Sequence, residues 1–99
     1  MAKYDLTNKA NEDLDNIWNY SYEEWSEEQA DKYYFELIDC CQFLADNPAF
    51  GKKYMEIENE LIGYLINKHI IFYQKITSEN ILIVRVLHSS MDLKYRIKE

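Results

Sequence analysis

The residues best suited to chemistry crowd into one short stretch near the end of the chain. From Val84 to Asp92 the sequence reads VRVLHSSMD, placing Arg85, His88, Ser89, Ser90, Met91 and Asp92 within eight positions. A histidine with an arginine and an aspartate nearby is the equipment of a small nuclease: a proton-transfer group beside a cation that steadies phosphate as charge develops. Two further groups of this kind, His69 and Tyr73, stand on the run before it. The mechanical alternative is that Arg85 pairs with a carboxylate, Asp92 being the local candidate, while His88 holds a strand end.

Metal and thiol chemistry find little support. Cys40 and Cys41 are adjacent inside a helical pattern, where side chains about 100° apart cannot meet disulfide geometry. With no second cysteine pair and no histidine close in sequence they make no zinc motif, and they read as small apolar residues, Cys41 buried and Cys40 partly covered. No metal and no organic cofactor is expected. The formal net charge of -7 argues against a nucleic-acid binder. The charge is also divided: residues 1–50 sum to -9 and residues 51–99 to +2.

The elements that must position these residues follow from periodicity. AKYDL alternates polar and apolar up to Thr7, a plausible helix N-cap. Ala10, Leu14, Ile17, Trp18 and Trp25 then mark one face of a helix over roughly 8–24. Ser26 and Gln29 make a capping box, SEEQ, that opens a second helix. Its stripe is Ala30, Tyr33, Tyr34, Leu37, Ile38, Cys41, Leu44 and Ala45, and Asp46-Asn47-Pro48 ends it. After an ordered loop over 48–60 come three strands, LIGYLI (61–66), HIIFYQKI (69–76) and ILIVRVL (81–87). Their two-residue and four-residue links suit hairpins. The predicted fold is α+β, β-α-α-β-β-β, with an antiparallel helical hairpin on one face of a twisted antiparallel sheet.

Ninety-nine residues with 47 % hydrophobic and 29 % charged side chains suit one compact domain over 1–99. No apolar run approaches the ~20 residues of a membrane span, and MAKYDLTNKA lacks the basic start and apolar core of a leader, so a cytoplasmic protein is expected. On the last strand, Leu82, Val84 and Val86 alternate with Ile81, Ile83, Arg85 and Leu87, so both faces read as apolar. The face away from the helices must therefore be covered by the C-terminal tail, a second copy or a partner.

In order and separation, several of these segments resemble the ParE branch of the RelE/ParE toxin superfamily. They are YDLTNKANEDLDNIWNYSYEEWSEEQADKYYFEL, LADNPAFGKKY, HIIFYQK and ILIVRVLHSSMD, and the resemblance spans residues 4 to about 92. It implies the toxin half of a bacterial type II toxin–antitoxin pair. The antitoxin would be ParD-like, with a disordered C-terminal segment that folds on binding and wraps the toxin in a hetero-oligomer of two toxins and two antitoxins. Contacts for that segment would be Trp18, Trp25 and Tyr34 on the helices and Ile83 and Leu87 on the last strand, and a basic segment would suit the acidic helices.

The ParE branch further implies inhibition of DNA gyrase without catalysis, membrane association or direct sequence-specific nucleic-acid binding, and growth arrest of the kind that stabilises plasmids. Arg85, His88, Met91, Asp92, His69 and Tyr73 are then target-contact or structural candidates. The RelE branch implies instead a ribosome-dependent mRNA endonuclease, with His88 and Tyr73 as the catalytic candidates; a third reading is an inactive relative that only binds antitoxin. Two departures bear on this choice. Ser89 follows His88 where ribonuclease relatives carry tyrosine, and Tyr64 or Leu65 stands where many ParE sequences have an arginine.

Overall fold

The computed structural model describes residues 2–99 and orders them as β1 (Lys3–Leu6), α1 (Asn8–Glu24), α2 (Glu27–Asp46), a 3-10 turn (Pro48–Phe50), β2 (Lys52–Lys53), β3 (Ile62–Ile66), β4 (His69–Lys75), β5 (Asn80–His88) and α3 (Leu93–Ile97). Both helix starts are local chemistry. Thr7 Oγ1 accepts from Ala10 N–H at 3.0 Å and Ser26 Oγ from Gln29 N–H at 3.1 Å, each satisfying a donor that the first helical turn leaves orphaned. Thr7 also donates its hydroxyl to Val84 O at 2.7 Å, so the cap of α1 is tied to β5. The β3–β4 hairpin turns on Asn67 and Lys68, with Asn67 at a φ of 53°, a conformation asparagine tolerates better than most residues.

The five strands lie in the order β1-β5-β4-β3-β2. The expectation of an antiparallel sheet holds for β2 to β5 and fails at one edge, where β1 runs parallel to β5 over Asn80–Ile83. The helical hairpin carries the chain away from β1 and the meander returns it as the last strand, so the first and last strands become neighbours. Two elements escaped periodicity altogether. β2 has two residues and α3 five, both too short to show a period.

The main core lies under α1 and α2, with Leu14, Leu37, Cys41 and Leu44 packed on Ile71, Tyr73, Ile81, Ile83 and Val86. The opposite face buries Leu61, Ile70, Phe72 and Leu87 beneath Tyr54, Ile57, Leu93 and Ile97. The chain therefore covers its own second face, using the 54–60 loop and α3. Cys40 and Cys41 are both buried and free; burial pushes the Cys41 thiol up to about 12 and also raises Cys40, so neither is a ready nucleophile.

A bulge in β5 decides where Arg85 goes. Phe72 faces Arg85 and Tyr73 faces Ile83, which leaves Val84 as the extra residue. Beyond it the alternation reverses: Val86 joins Ile81 and Ile83 under the helices, while Val84 and Leu87 pack on the other face. Strict alternation would have driven a guanidinium into the helix-side core.

Candidate functional site

β1 accompanies β5 only as far as Ile83, so Val84 to His88 is an open edge. Side chains of α1 close it in part. Besides the Thr7 bond to Val84, Asp13 accepts Val86 N–H at 3.0 Å. The same carboxylate takes Arg85 in a two-pronged pair, Nε to Oδ2 at 2.7 Å and Nη2 to Oδ1 at 2.9 Å. Arg85 Nη1 then donates to Arg96 O at 2.7 Å and lies 3.6 Å from Glu99 Oε1, so one guanidinium joins α1, β5 and α3. The Asp13 hydrogen bond raises the Arg85 pKa against the opposing effect of burial. This corrects the expected Arg85–Asp92 pair. Asp92 instead caps α3, accepting Tyr95 N–H at 3.1 Å, because a carboxylate at the turn is first claimed by the nearest orphaned donor.

The far end of β5 holds a different group. His69 and His88 are a cross-strand pair with ring centroids 5.3 Å apart, set edge to face. His69 Nδ1 lies 2.7 Å from the Tyr33 hydroxyl. Burial, and then the neighbouring His88, hold His69 down to about 4, so it is neutral at physiological pH. Ser90 N–H donates to His88 Nδ1 at 3.1 Å and Ser90 Oγ lies 2.7 Å from the same nitrogen, which leaves the other His88 nitrogen to carry the proton. Tyr73 does not join them. It is fully buried, its hydroxyl donates to Pro48 O at 2.8 Å and accepts Gly51 N–H at 3.1 Å, and it pins the loop after α2.

Between these two groups runs an open groove of about 1100 Å³, walled by α1 and α2 on one side and by the end of β5, Met91 and α3 on the other. Trp25 and Tyr20 stand at its mouth, and Ile17, Tyr33, Val86 and Leu87 line it. Among the described residues, no group of three or more His, Cys, Asp or Glu could hold a metal ion.

A family model described as ParE toxin of type II toxin-antitoxin system, parDE, matches residues 4–93. The chain belongs to the ParE toxin family. It is 36 % identical over 97 residues to Toxin ParE1 of Caulobacter vibrioides, covering 95 % of this chain and 96 % of the relative. Toxin ParE1 of Mycobacterium tuberculosis is 33 % identical over 92 residues, covering 93 % of this chain and 94 % of that one. The fold of the present chain is also that of a solved structure titled Chromosomal ParDE TA system from P. aeruginosa, with a TM-score of 0.75 at 18 % identity, covering 89 % of this chain and 96 % of that one.

In this ParE-family chain the expected antitoxin contacts divide sharply. Trp25 is 76 % exposed, placed just past the end of α1 rather than on its buried stripe. Trp18 is half-buried, stacks on Tyr22 and donates Nε1–H to Asp31 at 2.9 Å, so it ties α1 to α2. Tyr34 is partly buried against the main core. Ile83 and Leu87 are 0 % and 2 % exposed. Their alternation suggested a face open to a partner, but Ile83 lies under the helices, and although Leu87 borders the groove it packs in the cluster that α3 covers. Asp13 and Tyr33 were missed. Both lie on helices, 72 and 36 residues from the strand residues they bind, and no local pattern carries that pairing.

Proposed function

We propose that the chain is the growth-arresting toxin of a parDE-type pair, acting in the cytoplasm, inhibiting DNA gyrase by binding rather than by catalysis, and neutralised by a ParD-like antitoxin. The family match over residues 4–93 carries this reading. The site chemistry agrees with it. Arg85, the best-placed cation of the chemical stretch, is committed to Asp13, and Tyr73 is committed to the loop. The antitoxin segment would occupy the groove beside α1 and α2, because the second sheet face is filled by α3 and the 54–60 loop. A hetero-oligomer of toxin and antitoxin follows from the same reading.

One observation keeps ribonuclease chemistry as the second reading: His69, His88 and Tyr33 meet at the groove, two imidazoles and a phenol where proton transfer would need them. Purified protein added to gyrase and supercoiled plasmid, beside an in vitro translation reaction, separates the two. Linear plasmid trapped in cleavage complexes with translation intact supports gyrase inhibition. Cut messenger with gyrase unaffected supports the nuclease.

A further inference from the structure

The chain has two histidines in all, and the β4–β5 register sets them directly opposite one another where the groove opens. Folding alone does not ask for that pair. Among the described residues no hydrogen bond joins the two rings, and an apolar or aromatic pair would pack there without a group that can charge. Each ring is held instead through the same nitrogen. His69 Nδ1 meets the Tyr33 hydroxyl at 2.7 Å, and that hydroxyl lies 3.4 Å from Ile66 O. A hydroxyl that donates to the carbonyl accepts Nδ1–H, which puts the lone pair of His69 on Nε2. His69 is neutral at physiological pH, so no proton competes for that lone pair. His88 Nδ1 meets Ser90 Oγ at 2.7 Å, and its Nε2 has no hydrogen-bond partner among the described residues.

Two imidazoles held at Nδ1 and open at Nε2 are presented as a transition ion needs them, with the hydroxyls of Tyr33 and Ser90 in the place of the outer partners that orient ligating rings. The spacing agrees. Two rings bound through Nε2 to one zinc ion at about 2.0–2.1 Å and a tetrahedral angle have centroids about 5 Å apart, and these stand 5.3 Å apart. Their planes, 80° apart, are no obstacle, because a metal–nitrogen bond does not fix the rotation of the ring about it. We infer that His69 and His88 bind one divalent transition-metal ion through their Nε2 atoms at the end of β4 and β5. No net proton is released at His88: its proton passes from Nε2 to Nδ1, where Ser90 Oγ accepts it, and the exposed Ser90 N–H turns to solvent. Imidazole selects Zn2+, Ni2+ or Cu2+ over Mg2+ and Ca2+, which favour oxygen ligands. Among the described residues no third His, Cys, Asp or Glu completes the set, so water fills the other positions and the ion is exchangeable. Glu36, one turn along α2 from Tyr33, lines the same groove and favours a cation there, while Lys68 in the hairpin turn opposes it. The site stands independently of the antitoxin reading.

Zinc titrated into the tag-free protein, followed by calorimetry and by the imidazole proton signals in NMR, tests the inference. With two histidines in the chain, each set of signals is assigned by its own variant. One zinc ion per chain is expected, both sets of signals move together to saturation, and the melting temperature rises with zinc concentration. Magnesium at the same concentration moves neither. His88→Ala and His69→Asn each weaken zinc binding by more than about tenfold, in proteins whose melting temperature in chelator shows that they remain folded. If His69→Asn fails to fold, His88→Ala decides alone. Zinc that moves one ring only, or that binds His88→Ala as tightly as wild type, is an adventitious ion only and overturns the inference. So does zinc that binds with both rings unmoved, which places it on carboxylates, and so does the absence of binding at millimolar zinc.

Discussion

Arg85 and His88 stand three residues apart on one strand and border one groove, yet they are held very differently. The guanidinium is used up: two bonds to Asp13, one to the Arg96 carbonyl and a further carboxylate at 3.6 Å. Among the described residues, the imidazole of His88 is held by its own turn and a cross-strand ring. The lesson is that residue type nominated both for chemistry, while the number of partners separates them. A side chain whose hydrogen-bonding capacity is filled by the fold is a strut, and one at a groove with capacity to spare is available to a partner.

The largest expected effect breaks the strut. Asp13→Ala strands a buried arginine and the Val86 N–H together, and the loss should be about 3–5 kcal/mol in denaturant unfolding. Asp13→Leu with Arg85→Met replaces the pair by packing and should recover much of that loss. Next comes pH. His69 is held down to about 4 against an ordinary 6.5. Between those values the unfolded chain takes up a proton that the folded chain refuses, so stability falls as pH drops from 6.5 towards 4 and levels off below. Because solvent screens this half-buried ring, the fall is about 2 kcal/mol, and His69→Asn should flatten it.

A smaller effect tests the third chemical candidate. Tyr73→Phe leaves the Gly51 N–H and the Pro48 carbonyl without their partner and should cost about 1–2 kcal/mol, read as a shifted denaturation midpoint. Smallest of all, Trp25→Ala should move stability by less than about 0.5 kcal/mol, because the side chain is mostly in solvent. A large loss there would place Trp25 in the core and erase the contrast between strut and surface.

What the sequence made legible was whatever local chemistry determines. Thr7, Ser26 and Asn47-Pro48 punctuate the helices as their types require, and the Asn67-Lys68 hairpin turns where two apolar runs meet. The helix stripes placed Leu14, Leu37, Cys41 and Leu44 in the core. The bulge at Val84 had no such signal. It reverses the faces of the last four residues of β5, so alternation alone put Arg85 and Val86 on the wrong sides. α3 was hidden by its length, and with it the true role of Asp92; the C-terminal tail was one of three covers expected for the second face, and periodicity could not choose among them. The candidate site suffered most, since Asp13 and Tyr33 reach it from far along the chain.

The central claim is that Arg85 braces the fold and does not touch the target. The direct measurement is growth arrest after induced expression of the Asp13→Leu, Arg85→Met double variant, with folding of the purified protein checked by circular dichroism. Arrest equal to wild type is predicted. A double variant that is folded, expressed at the wild-type level and harmless would contradict the account and return Arg85 to the target surface.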